Sequence, residues 1–266
     1  MTPEIRDRKR TVLATLAFIA GGAVPIQLVT LSFAYSQYVR GVRMGPHSIA
    51  VAHEFARWYL PLVYLPALLA LAAIAAYGRR RYPGLFRRIV VGLSMGAVAT
   101  LTLDAVRQAG VIHGWLPADT PVMFGKMATG SSRFALLYPA GLFVHYLNGA
   151  NFGLFYAFAW GRRRSYPSAA FWATIWALVL ELGMMTGPPM GPMVGWFGVR
   201  YAWPQLFLLT LVAHLFFGVT LGLLIQRFLS EEDGDWLLPF LLGSGGRRAS
   251  AGTGEPATPE SAAPAA

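Results

Sequence analysis

The stretch His145-Tyr-Leu-Asn-Gly149-Ala-Asn-Phe-Gly153 lies inside one long apolar run, and His214-Leu-Phe-Phe-Gly218-Val-Thr-Leu-Gly222 lies inside another. Both read His-x3-Gly-x3-Gly. Residues four apart share one face of an α-helix, so each stretch is a stripe of two glycines and one histidine. Small residues at this spacing let helix backbones approach closely inside a membrane. A histidine on the same stripe is costly in hydrocarbon unless it is paired, and it marks a site or a packing node. The fold class implied is all-α, a polytopic membrane helix bundle.

Composition agrees. Of 266 residues, 55% are hydrophobic and 13% are charged, and mean hydropathy is +0.48. Soluble domains carry roughly a quarter charged residues. A span needs about 20 apolar residues, and six such runs are expected at roughly 11–34, 56–77, 89–111, 134–160, 168–186 and 204–226. Cysteine is absent, which removes disulfides, thiolate metal sites and thiol nucleophiles. The net charge of +10 comes from basic residues flanking the apolar runs, so it speaks for topology and anionic lipid and against nucleic acid. The first run is too long for a signal-peptide core and lacks a small-residue cleavage site, so no cleavable signal is expected.

Arginine clusters alternate between the gaps. Arg6, Arg8 and Arg10, then Arg79–Arg81 with Arg87 and Arg88, then Arg162–Arg164, then Arg227 fall on one side. The other side has fewer, in longer loops. The positive-inside bias therefore predicts an inner-membrane protein with both termini in the cytoplasm. The domain reading is a basic N-terminus at 1–10, a helical hairpin at 11–77, two further hairpins at 78–160 and 161–228, an interfacial segment at 229–242 and a disordered tail at 243–266. The outer stretch Gly187-Pro-Pro-Met-Gly-Pro-Met-Val-Gly195 is expected to hold no regular helix, because Pro and Gly break it.

The last two hairpins read as copies. Gly78-Arg-Arg-Arg-Tyr-Pro83 enters the first and Gly161-Arg-Arg-Arg-Ser-Tyr-Pro167 enters the second. Asp104 precedes Gly110 by six residues, as Glu181 precedes Gly187. Phe124-Gly125 and Phe197-Gly198 follow in the outer loops, and the two His-x3-Gly-x3-Gly stripes close each copy. Small residues recur at every fourth position: Gly92, Gly96 and Thr100 before Asp104, and Ala169, Ala173 and Ala177 before Glu181. On the returning helices Gly149 and Gly153 follow His145, and Gly218 and Gly222 follow His214. Counted from the inner arginines at 1.5 Å per residue, Asp104, His145 and Glu181 lie about 24 Å deep and His214 about 20 Å. These four residues form the expected polar centre, facing the bundle interior.

Spans 3–6 resemble a group of small uncharacterised bacterial integral membrane proteins with paired hairpins. The residues that carry the resemblance are His145, Gly149, Gly153, His214, Gly218, Gly222 and Met184-Met-Thr-Gly-Pro-Pro-Met190. The resemblance implies a membrane bundle and no particular activity, and it does not extend to spans 1–2.

Several chemistries fit such a centre. A His–carboxylate pair between helices fastens a bundle and satisfies two polar groups that would each cost several kcal/mol alone. Imidazole and carboxylate also suit a transition metal, with His145, His214 and Glu181 as candidate ligands. Two facing histidines can ligate haem b. Soft thioethers select Cu(I), and Met185, Met190 and Met193 in the outer region are candidates, although methionine more commonly fills apolar gaps. Parallel repeats around a polar layer fit a proton or solute pathway. Glu181 followed by Thr186-Gly-Pro-Pro-Met-Gly191 resembles integral-membrane carotenoid hydratases, but Pro192 stands where those enzymes carry an aromatic residue. The only lysines, Lys9 and Lys126, lie outside the spans, which excludes a retinal Schiff base. Phosphate-binding glycine loops are absent. The expected function is handling of an ion, metal or small solute rather than enzymatic catalysis, with a structural or accessory subunit as the alternative. The partners implied are the lipid bilayer and a second copy or another membrane protein.

Overall fold

The apolar runs fold as helices. In the computed structural model, which describes residues 3–42 and 46–230, every regular element among the described residues is helical. The segments expected at the interface and in the tail, 231–266, lie outside the described residues.

The first run is bent. Helix α1 (Pro3–Phe18) passes into a π-turn at Ile19–Ala23, and α2 (Gln27–Ala34) resumes and ends in another π-turn at Tyr35–Val39. The segments Arg8–Ala23 and Gln27–Val39 meet at 50°. Gly21, Gly22 and Pro25 explain the bend, since Pro25 has no N–H to offer and the glycines add no side chain to hold the turn. The run expected as one span over 11–34 is therefore two helical segments that meet at a bend.

The second run is longer than expected. Helix α3 (Pro46–Tyr59), a π-turn at Leu60–Tyr64 containing Pro61, and α4 (Leu65–Arg81) make a continuous stretch, and its portion His47–Arg81 is 35 residues long. The sequence reading starts this span at 56 because His53 and Glu54 are polar. Both find partners: the His53 ring lies 2.8 Å from the Met127 carbonyl, and Glu54 lies 3.9 Å from Arg40.

Helix α5 (Pro83–Ile112) starts at a proline, which fits the first helical turn. A short helix α6 (Thr120–Thr129) follows, where no element was expected, and it ends at Gly130 in the left-handed conformation. Then come α7 (Phe134–Ala159), α8 (Tyr166–Thr186), a single turn α9 (Met190–Val194) and α10 (Gln205–Phe228). The turn α9 corrects the expectation that 187–195 holds no helix. Ser165 caps α8 by accepting from the Ser168 N–H at 3.3 Å.

Four helical stretches are long and apolar enough to cross a membrane: His47–Arg81, Pro83–Ile112, Tyr166–Thr186 and Gln205–Phe228. The bent pair makes a fifth if it is one span. Helix α7 has the length, 26 residues, but is not among them, and it carries His145, Asn148 and Asn151 in mid-helix. Its polar residues can be tolerated because neighbours enclose it. Helix α7 packs along α5 and α6 and against the Ile19–Ala23 turn. Leu154 and Phe158 of α7 join α1, α4 and α5 in one apolar cluster. Val144 joins Leu28, Ala52, Met123 and Met127 in a second, outer one.

Glycine sets the spacing of the main seam. A Cβ on Gly96 would strike the Gly149 carbonyl oxygen and lie 2.8 Å from the Gly153 Cα. One on Gly92 would lie 2.7 Å from the Leu154 Cα, and one on Gly149 would strike the Thr100 hydroxyl. Between α8 and α10 the partners are alanine and glycine: a Cβ on Gly218 would lie 2.7 Å from the Thr174 Cα, and one on Gly222 would strike the Ala169 carbonyl oxygen. By contrast Gly183 has nothing within 4 Å of an added Cβ. Gly96→Ala is therefore expected to destabilise the protein by about 1–3 kcal/mol through overpacking. Gly183→Ala should be neutral or stabilising by up to about 1 kcal/mol, as for an unhindered helix position. Thermal unfolding in detergent checks both, and equal losses would show that the seam is not the tight contact.

Candidate intramembrane polar site

The four expected polar residues each sit one turn beyond the same end of a small-residue seam. Asp104 follows Thr100 on α5, and Glu181 follows Ala177 on α8. His145 precedes Gly149 on α7, and His214 precedes Gly218 on α10. Where the seams hold the backbones together, the side chains at their outer ends meet.

In the first pair, His145 Nε2 lies 2.9 Å from Asp104 Oδ1. The same oxygen accepts from Arg107 Nε at 2.8 Å, the i,i+3 ion pair implied by the spacing. Arg107 also donates through Nη1 to Asp119, the residue that opens α6. Arg107 is only 6% exposed, so its charge is met by two carboxylates. Asp119 was missed by the sequence reading. Its signal was the dipeptide before Thr120-Pro121, a helix start that the loop composition concealed.

In the second pair, Glu181 is buried at 3% exposure. Its Oε1 accepts from the Thr210 hydroxyl at 2.7 Å. Its Oε2 lies 2.7 Å from His214 Nδ1. With the proton on Nδ1, that N–H points along the helix to the Thr210 carbonyl, 2.8 Å away. Oε2 therefore touches the imidazole off the N–H axis and holds no aligned hydrogen bond. Thr210 stands four residues before His214, on the same helix face, and its bond to the carboxylate was not foreseen.

Both imidazoles face the interior, His145 at 8% and His214 at 9% exposure. They border one small cleft with a cavity volume of about 40 Å³. Thr100 and Asn148 add polar atoms to it, and Phe152 and Phe217 line it with apolar surface. Small-molecule sites run from about 300 to 1,000 Å³. The cleft is far smaller and has room for a water or two or a small ion. Each ring engages one nitrogen, Nε2 of His145 and Nδ1 of His214.

The expected four-residue layer is two pairs, not one cluster. Among the described residues no group of three or more His, Asp or Glu side chains can hold a metal ion. His145, His214 and Glu181, the candidate metal ligands, are not brought together as one set: Asp104 is engaged with His145 and Glu181 with His214. The outer methionines are in packing. Met185 and Met190 are buried with Val194 and Leu206, and Met193 packs against that cluster. The hairpins meet elsewhere through aromatic rings: Phe155 stacks on Trp176 at 4.4 Å, and Trp176 Nε1 donates to the Phe152 carbonyl at 3.3 Å.

No family model, curated protein or solved structure matches the chain.

Removing Arg107 would leave Asp104 and Asp119 without their cation. Arg107→Ala is expected to cost about 3–5 kcal/mol, as for a buried pair stripped of one partner. Adding Asp104→Asn should recover part of the loss. Thermal unfolding of the single and double variants checks this, and a double variant less stable than the single would refute the ionic account.

Proposed function

We infer that the chain is a six-span inner-membrane protein with cytoplasmic termini, and that its two His–carboxylate pairs handle a proton together with a small ion or solute at their shared cleft. The observation that carries the reading is the cleft itself. Two buried imidazoles, each backed by a carboxylate, border one open space inside an apolar bundle. Intramembrane ionisable residues in such a setting line ion and proton paths.

Six spans follow if the bent pair counts as one and α7 counts despite its polarity. The register of the seams supports the duplicated hairpin. Asp104 with Gly92, Gly96 and Thr100 matches Glu181 with Ala169, Ala173 and Ala177, and each carboxylate meets the histidine before its partner's glycines. The copies depart from equivalence in packing: α5 lies along α10, whereas α7 meets α8 largely through Trp176. The arginine clusters support the cytoplasmic placement of the termini. A reporter inserted at 162–164 should be cytoplasmic and one at 113–118 external, and the reverse pattern would overturn the orientation.

A structural reading is favoured by the tight seams, since polar pairs at their ends would fasten the bundle without any transport. Proteoliposomes separate the two. The expected result is pH-driven flux that Glu181→Gln reduces at least tenfold while the protein remains folded. If wild-type vesicles show no flux, and His145→Gln and His214→Gln merely lower the unfolding temperature, the structural reading holds.

A further inference from the structure

The two pairs differ in fixed charge. Asp104 has a permanent counter-ion in Arg107, three residues along α5 at 2.8 Å. The second carboxylate on Arg107, Asp119, has a side chain 26% exposed at the start of α6, where the helix's partial positive charge offsets it. Three residues beyond Glu181 the chain carries Met184. Among the described residues the only ion pair of Glu181 is with His214, and its other partner is the neutral Thr210 hydroxyl. Across the cleft from His214 stands His145 on α7, engaged with Asp104, which in turn meets Arg107 on α5 and Tyr146 on α7. The turn α9, Met190-Gly-Pro-Met-Val194, brings none.

A buried carboxylate without a fixed cation is costly, and a proton is the simplest remedy. Glu181 Oε2, 2.7 Å from the His214 ring and lacking an aligned donor, stands where added positive charge on that ring would be met.

We propose that the two copies have divided the work: Glu181–His214 is the proton-exchanging pair, and Asp104–His145, locked by Arg107, is the fixed wall of the cleft. Arg107 is a positioning residue. The division rests on the proton-handling reading of the cleft and specifies it. With Glu181 ionised and His214 neutral, protonated on Nδ1, the pair carries one negative charge. A hydronium ion in the cleft gives its proton to His214 Nε2 and leaves water. The imidazolium and carboxylate then cancel, and release is the reverse step.

The test is ¹⁵N NMR of histidine-labelled full-length protein, which has five histidines, with His145→Gln and His214→Gln used for assignment. On acidification the His214 ring is expected to take up a proton while the His145 ring keeps its state over the same range. Glu181→Gln should abolish the His214 transition. Arg107→Met, which gives the first copy the second's chemistry, should let His145 protonate, and Arg107→Lys should not. Met184→Arg should suppress protonation at His214. Wild-type His145 titrating alongside His214, or His214 remaining fixed, overturns the proposal, and the wild-type spectrum decides this even if a swap variant fails to fold. The outcome is separable from the flux experiment. A His214 transition without flux leaves the division standing and removes transport, whereas flux with equal titration of both rings does the opposite.

Discussion

The close crossing of α5 and α7 at Gly96, Gly149 and Gly153 is the constraint on which the rest depends. With no side chain at these positions the backbones touch, and a single added carbon would collide with main-chain atoms. In hydrocarbon there is no hydrophobic drive between helices, so association depends on packing and polar contacts. The crossing supplies the first and sets the register for the second. Asp104 lies eight residues beyond Gly96 and His145 four before Gly149, so the outer end of the seam brings carboxylate to imidazole. The α8–α10 seam repeats the geometry with alanine facing glycine, and it delivers Glu181 to His214 in the same way.

Helix α7 takes the centre, and its composition follows from that. It carries His145, Asn148 and Asn151 in one stretch, which lipid would penalise. Its neighbours remove most of that exposure: α5 on one face, α6 along the outer half, and the first two apolar runs behind. The N-terminal segments therefore cover α7 rather than contribute to the cleft, whose lining comes from α5, α7, α8 and α10. The short α6 has a related role. Gly125 and Gly141 let it lie against α7, a Cβ on either striking the other helix's main chain. Its first residues hold Asp119 against Arg107.

Much of this was legible in the residues because a period of four is a strong signal. The stripes at Gly92, Gly96, Gly149, Gly153, Gly218 and Gly222 define faces, and an ionisable residue on such a face must point into the bundle. The Asp104–Arg107 spacing likewise defines an ion pair. What stayed hidden was whatever depended on tertiary reach. Pairing within each hairpin rather than across the four-residue layer is set by which seam is tight, and equal depth does not distinguish the two. Helix α6 was concealed because Pro121 and Gly125, read locally, mark a loop. In place, Pro121 opens a helix and Gly125 permits its contact. The bend near Pro25 was lost because an apolar run long enough to span looks continuous, whatever its backbone does.

The proposal that the pairs are more than fasteners rests on one geometric observation. A histidine that only ties two helices needs one nitrogen bonded and the rest of its ring packed in apolar surface, and such ties are often matched or bettered by plain hydrophobic packing. Here each ring has one nitrogen engaged and borders, with Asn148 and Thr100, a space that the surrounding helices leave unfilled. Closing that space would take little: a larger residue at Leu180 would reach it. A bundle built for fastening alone would gain contacts by closing it. The glycines close the seams to backbone contact on the inner side while the polar ends stay open to a cleft. That contrast along one stripe is the reason to read the outer end as a site and the inner end as its scaffold.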